Sequence, residues 1–356
     1  MGLRPRMAIS DIEVIAPHFK RRLSGVTSTV VQLIPKQLEA GVKISTLGPG
    51  LPDDLPKLRY RDLLQCWVRP SSGKKRIWHA RRNIEMVAGI FLRDVLRMPM
   101  KLVFTSAAQR NHTDFTKAMI RRMDGVIATS GRSGAFLEVP HTVVMHGIDT
   151  TLFHPPRTND DLFSASGLPG KYAIGCSGRI RHQKGTDLFV DAMIALLPHY
   201  HDWTAIITGR VTAEHEGFHA ELEERIAKAG LTDRIVFLGE VDDVKLWYRR
   251  FSLFVAPSRN EGFGLTPLEA MASATATVTS DAGAYAEMNV SGSTGMIVPA
   301  GDGDALRNAI EPYLADPGRA KRHGENALAH VTTHFEIGGE VKGVSAVYEA
   351  TLAGER

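Results

Sequence analysis

The feature that most limits what this chain can fold into is a twofold alternation of short apolar runs with helical patterns. The first series of runs lies at residues 11–17, 42–47, 76–79, 101–104, 125–128 and 142–145. The second lies at 172–177, 203–208, 234–238, 253–256, 276–279 and 295–298. Such runs, separated by stretches long enough for a helix, predict strands of parallel βαβ units, since a parallel neighbour is reached only by a crossover. Between the series, residues 153–171 carry Pro155-Pro156, Asn159-Asp160-Asp161 and Gly167-Leu-Pro-Gly170, which are turn and linker residues. We therefore read two Rossmann-like, doubly wound parallel-sheet α/β domains, residues 1–156 and 157–335, with a linker at 157–170. Ligands of such sheets sit at the carboxyl ends of strands, so two facing domains would enclose an interdomain cleft.

Composition narrows the class. Two cysteines, Cys66 and Cys176, exclude a disulfide framework and a four-cysteine zinc site. No window has eighteen consecutive apolar residues, and no apolar region follows the basic N-terminus as a secretory signal would require. The expectation is a soluble, reduced, cytoplasmic protein. Charge is unevenly spread. Through Pro156 there are 24 Lys and Arg against 12 Asp and Glu, and beyond it 19 against 27. A basic first half suits an anionic partner: nucleic acid, a membrane surface or a phosphorylated substrate.

Two segments carry the chemistry. Residues 257–269 read Pro-Ser-Arg-Asn-Glu-Gly-Phe-Gly-Leu-Thr-Pro-Leu-Glu, following a strand and opening a helix. Gly262 and Gly264 would let the backbone approach an anion, and the helix start supplies free N–H groups, which together make a diphosphate cradle. Glu261 and Glu269 bracket it; carboxylates accept from hydroxyls, so a sugar is their natural partner. Alternatively Glu269 closes a capping box with Thr266 and only ties down the helix. The second segment, Gly178-Arg179-Ile-Arg-His-Gln-Lys184-Gly185, also follows a strand. Arg179 would meet a diphosphate as a bidentate fork and Lys184 as a point charge.

Together these segments resemble the retaining glycosyltransferases of family 4, which have GT-B architecture. The carrying residues are the Glu-x7-Glu element at Glu261 and Glu269, Gly178-Arg179 with Lys184-Gly185, and the His146-Gly-Ile-Asp149 run. Also matching are residues 283–287 before Gly301-Asp302. The resemblance implies that Arg179 and Lys184 bind the donor diphosphate, Glu269 the ribose, and Glu261 the transferred sugar. Gly178, Gly262, Phe263, Gly264 and Leu265 would complete the donor site. It implies Gly25 as the close-approach glycine of the first domain, where Ser24 stands in place of a paired glycine. It implies His79, at the end of a strand, as an active-site histidine, and residues 336–356 as a helix crossing back to the first domain. The catalytic set is thus His79, Arg179, Lys184 and Glu261. No cofactor is implied, and no Asp-x-Asp metal motif occurs.

The chain further resembles lipopolysaccharide core mannosyltransferases, on residues 104–110 and 122–130. That likeness implies transfer from GDP-mannose to a Kdo residue of a lipid A precursor, peripherally at the cytoplasmic face of the inner membrane. The anionic glycolipid acceptor would meet Lys20, Arg21, Arg22, Arg81 and Arg82. Asp242 or Asp243 would read the guanine. Residues 82–101 interleave basic residues with Ile84, Val87, Ile90, Phe91, Val95 and Leu96. This could be a helix lying on lipid; we expect instead a sheet-covering helix with its apolar face in the core. Other readings are a family 4 enzyme with another donor or acceptor and a sugar-nucleotide epimerase of related fold. A nucleic-acid-binding module would explain the basic half but lacks a binding motif, so no nucleic-acid partner is expected. A nicotinamide dehydrogenase is disfavoured because no Gly-x-Gly-x-x-Gly follows the first strand.

Overall fold

A computed structural model describes residues 7–20 and 25–354. They divide into two compact units, Met1–Gly147 with Ile337–Arg356, and Ile148–Glu336.

The first unit runs β1 (Val14–Pro17), α1 (Gly25–Glu39), β2 (Ile44–Leu47), β3 (Lys57–Leu58), β4 (Arg76–Ala80) and α2 (Asn83–Ile90). It continues through β5 (Met100–Ser106), α3 (Asp114–Ile120), β6 (Gly125–Ala128), α4 (Gly131–Gly134) and β7 (Thr142–Val143). The second holds β8 (Tyr172–Ser177), α5 (Thr186–Leu196), β9 (Trp203–Thr208), α6 (Glu216–Lys228), β10 (Ile235–Gly239) and α7 (Val244–Arg250). After these come β11 (Leu253–Ala256), α8 (Thr266–Ala272), β12 (Ala276–Ser280), α9 (Tyr285–Met288), β13 (Gly295–Val298), α10 (Gly303–Ala315) and α11 (Pro317–His334). The last helix, α12 (Ile337–Ala353), belongs to the first unit.

Strand order is β3-β2-β1-β4-β5-β6-β7 in the first sheet and β10-β9-β8-β11-β12-β13 in the second, with every neighbouring pair parallel. Order therefore reverses between β1 and β4, and between β8 and β11. These are the Rossmann-like sheets of GT-B architecture. Successive strand residues face opposite cores: Ile15, Trp78 and Leu102 join one apolar cluster, Val14, Ile77 and Val103 the other. Met86 and Leu92 close the first cluster, while Val30 and Ile34 of α1 with Val344, Val347 and Tyr348 of α12 close the second.

Two expectations need correction. Residues 157–170 are not a free linker but part of the second unit, whose boundary lies at 147/148. The Arg249 guanidinium of α7 pairs with Asp161 at 2.6 Å, Arg250 donates to the Asp160 carbonyl, and Phe163 is buried. Turn residues mark a chain reversal, and this one is pinned by carboxylate caps. The second correction concerns residues 82–101. The α2 helix widens after Ile90 into a π-helical turn over Phe91–Val95, where Leu96 N–H donates to the Phe91 carbonyl at 3.0 Å. Its inward residues are Met86, Gly89 and Leu92, but Ile84, Val87, Phe91 and Val95 face outward and are exposed.

Trp78 of β4 packs so closely on α2 that a Cβ on Gly89 would lie 2.6 Å from its ring. Gly89→Ala should thus destabilise the protein by ~1–3 kcal/mol, although alanine alone would favour the helix by ~1 kcal/mol. A urea midpoint equal to or above wild type would contradict this packing.

Candidate active site

In the second unit the loops after β8 and β11 meet where the strand order reverses, the position from which an open α/β sheet presents its ligand. They are locked together. Arg259 forks onto Asp187 with two bonds of 2.7 Å, and Arg259 N–H donates to the Gln183 carbonyl at 2.9 Å. Gly185, at φ +71°, lies so close to Pro257 that a Cβ would strike its carbonyl.

This lock brings Lys184 against Glu261, so the two motifs form one cluster. The Lys184 ammonium pairs with Oε2 of Glu261, Tyr285 donates to the same oxygen at 3.4 Å, and Gly262 N–H donates to Oε1 at 3.0 Å. Gly264, at φ +87°, has no room for a side chain, since a Cβ would fall 2.3 Å from Tyr285 and 2.8 Å from Glu261. Arg179 and Gly178 stand partly exposed on the loop after β8, with Gly178 beside Lys184.

Glu269 does not act as a capping-box residue. Leu265 caps α8 without a side-chain bond, and the Glu269 carboxylate interacts with the Tyr248 hydroxyl. Burial raises the Glu269 carboxyl above its ordinary range, opposed by that interaction and by the Lys184 and Lys245 charges. Glu269 lies in the first turn of α8 without closing a capping box, so its carboxylate is available to a hydroxylated ligand. Tyr285, which donates to Glu261, and Tyr248, which interacts with Glu269, lie in α9 and α7, outside either motif. Aromatic side chains give no sign in sequence that they will anchor a distant glutamate.

Phe263 is buried and its carbonyl accepts from Ala284, and the Leu265 carbonyl accepts the Glu269 N–H, so both shape the loop. Asp243 caps α7 through Lys245 N–H and pairs with the Lys245 ammonium at 3.0 Å, while Asp242 is exposed. Burial pushes the Cys176 thiol up to about 12, which removes it as a nucleophile.

In the first unit, β1 and β4 flank the reversal. Arg82 reaches from the end of β4 to His18 after β1 at 3.0 Å and pairs with buried Glu85 at 3.2 Å. His79 must be corrected. It is buried, with Nδ1 2.6 Å from the Tyr348 hydroxyl and Nε2 2.7 Å from Thr105 Oγ1. With both nitrogens engaged, it braces α12 and β5 and does not present itself to a substrate. His146 is likewise held by buried Glu340 at 2.7 Å, whose other oxygen accepts from Gly147 N–H. Gly25 opens α1, where a Cβ would meet nothing within 4 Å, so no protein contact demands glycine there. Lys20 is exposed; Arg21 and Arg22 lie outside the described residues.

A cavity of about 500 Å³ opens at the ends of β4 and β5, lined among others by Arg81, Asn83, Ser106, Arg110, His112 and Thr113. The Nη1 of Arg81 is buried without a hydrogen-bond partner, so part of a guanidinium is left for a ligand anion. Neither Arg110, which closes the 104–110 run, nor His112 was expected as a site residue, since nothing local in the sequence says that these loop side chains line a cavity. Burial, with the Arg110 and Lys117 charges, lowers the His112 pKa and keeps the ring neutral. Among the described residues no three His, Cys, Asp or Glu are grouped to hold a metal ion.

Comparison with known proteins gives the family. Residues 159–330 match the family of glycosyl transferases group 1. The chain is 63% identical to the lipopolysaccharide core biosynthesis mannosyltransferase LpcC of Rhizobium leguminosarum bv. viciae, over 98% of this chain and 99% of that protein. It is 54% identical to the lipopolysaccharide core biosynthesis mannosyltransferase LpsB of Rhizobium meliloti, over 97% and 99%. The crystal structure of Anabaena HepE in complex with UDP and glucose has the same fold, with a TM-score of 0.79 at 18% identity over 95% of this chain and all of that one. The chain belongs to the group 1 glycosyl transferases and is a glycosyltransferase.

The buried imidazoles predict acid sensitivity. Burial, with the Arg82 and Arg81 charges, lowers His18 from 6.5 to about 4, and burial holds His79 well below 6.5. Below pH 6.5 the unfolded chain therefore binds protons that the folded chain refuses. Stability should be full above pH 6.5 and fall towards pH 4, by ~1.4 kcal/mol per unit for each such histidine. Urea midpoints across this range should drop for the wild type and drop less for His79→Gln; equal slopes would contradict the assignment.

Proposed function

We propose that the protein transfers mannose from GDP-mannose to a Kdo-containing lipid A precursor during lipopolysaccharide core synthesis, with retention of configuration and without a metal ion. The observation that carries this reading is the near-complete match to two lipopolysaccharide core mannosyltransferases. The geometry is consistent with it. Arg179 and Lys184 supply positive charge to the departing diphosphate, which is electrostatic stabilisation of a leaving group. Lys184 exchanges part of its pairing with Glu261 for phosphate oxygens, leaving that carboxylate to a sugar hydroxyl, while Glu269 takes the ribose. The acceptor hydroxyl oxygen bonds to the anomeric carbon on the face the diphosphate leaves. The carbon–oxygen bond to phosphate breaks, and the acceptor proton passes to the leaving phosphate oxygen, so no side-chain base is needed.

The acceptor, rich in carboxylate and phosphate, meets Arg81 in the first-unit cavity. Since no helix among the described residues is long and apolar enough to cross a membrane, we place the enzyme peripherally at the cytoplasmic face of the inner membrane.

Mass spectrometry of a Kdo-bearing lipid A precursor incubated with the protein and EDTA should show one added hexose with GDP-mannose and none with UDP-glucose. Gain from UDP-glucose would overturn the donor, and no gain from either would overturn the mannosyl-core reading. Isomerisation of the donor without acceptor would mark an epimerase. Arg179→Ala and Lys184→Ala should each lower turnover by ~10²–10³, while stability changes by no more than ~1 kcal/mol. Arg81→Gln should raise KM for the acceptor and leave KM for the donor unchanged; a shift in both would remove Arg81 from the acceptor site.

A further inference from the structure

The outward stripe on α2 has no partner in the fold described so far. Ile84, Val87, Phe91 and Val95, spaced by three and four residues, form one helical face, and their exposure runs from 45% at Val87 to 62% at Val95. The opposite face of the same helix already fills the core through Met86, Gly89 and Leu92. A helix apolar on both sides needs two apolar neighbours, and here the sheet supplies one.

A second exposed apolar group adjoins it. The 3-10 segment Tyr60–Trp67 presents Tyr60, Leu64 and Trp67, followed by Val68, which is 72% exposed. Trp67 Nε1 donates to the Leu96 carbonyl at 2.7 Å, which draws the end of this segment to the end of the α2 stripe, beside Val95. The charge around these groups has one sign. Residues 57–101 contain twelve Lys and Arg against three carboxylates. Two of the three, Asp62 and Glu85, are buried, and the third, Asp94, is taken by Arg93 and Arg122. Arg59, Arg61, Arg69, Lys74, Lys75 and Arg97 are exposed. Arg97 holds a left-handed backbone at φ +54°, where a glycine would be unstrained.

We infer that the α2 stripe and the 60–68 segment form a membrane-docking surface of the first unit that takes an anionic lipid bilayer. Apolar and aromatic side chains enter the acyl boundary, tryptophan and tyrosine sit at the headgroup level, and the cationic rim pairs with lipid phosphate. A partner protein recognised by apolar packing alone would leave the uncompensated positive rim without a counterpart. The placement also suits the chemistry. The α2 helix begins at Asn83, which lines the cavity that holds Arg81, so the stripe starts at the mouth of the acceptor pocket. This extends the membrane-borne acceptor proposed above, but lipid binding is measured without turnover and stands or falls separately.

The test is co-sedimentation of the full chain with phosphatidylglycerol vesicles and with phosphatidylcholine vesicles, at low and at physiological salt. Wild type should bind the anionic vesicles at least tenfold more tightly than the neutral ones. Ile84→Ser, Phe91→Ser and Val95→Ser combined should weaken that binding at least tenfold. Because these side chains are exposed, the urea midpoint and turnover on detergent-dispersed acceptor should be unchanged. A second variant, Lys74→Glu with Lys75→Glu, should weaken binding to anionic vesicles and reduce its salt dependence. Wild type that fails to sediment with phosphatidylglycerol, or a triple variant that sediments equally, would overturn the inference. So would a wild-type dimer in sedimentation velocity that the triple variant dissolves, which would assign the surface to a second copy.

Discussion

In a parallel sheet covered by helices on both sides a strand has no wet face, so neighbours such as Ile77 and Trp78, or Leu102 and Val103, must be buried in opposite directions. That constraint sends most connections through a helix and leaves polar chemistry one place to collect, the carboxyl ends of the strands. Where strand order reverses, the two diverging loops leave a crevice. In the second unit those loops are the ones that follow β8 and β11, and the Arg259–Asp187 fork holds them in register. Lys184 then meets Glu261 across 77 residues of sequence because both loops open onto that crevice.

The same constraint explains the treatment of buried polar groups. Several have a partner from a remote element: Arg76 donates to the carbonyls of Ile9 and Ile12, His79 is shared between Tyr348 and Thr105, and Glu340 holds His146 and Gly147. Leaving any of them unpaired would cost the desolvation of a polar group. The unpartnered Nη1 of Arg81 is a buried donor on a cavity wall, which the other unpartnered buried side chains are not. Its place on that wall, beside histidines already satisfied by the protein, leaves it for a ligand.

The α2 helix shows what a pattern of periodicity leaves open. Residues 84–96 are apolar at more positions than one face can use, so the sequence is compatible both with a helix covering a sheet and with a helix lying on lipid. In three dimensions both hold at once: Met86, Gly89 and Leu92 pack inward, while Ile84, Val87, Phe91 and Val95 point away. Which residue faces which way depends on the phase of the helix, and Trp78 sets that phase by pressing against Gly89.

Read alone, the sequence determined the two-sheet α/β plan, the strands at 125–128, 172–177, 203–208, 253–256 and 295–298, and the two loops that carry Arg179, Lys184, Glu261 and Glu269. It did so because apolar runs, glycines at sharp turns and charges at strand ends are local requirements, satisfied within a few residues. Tertiary structure alone decided that residues 157–170 pack on α7, that Glu269 closes no capping box and interacts with Tyr248, and that His79 is sealed beneath Tyr348. It also revealed Arg110 and His112 beside Arg81, and showed which face of α2 is left uncovered. Each of these depends on a partner from a distant part of the chain, and a side chain such as histidine reads the same in sequence whether its nitrogens will be filled by the protein or offered to a substrate.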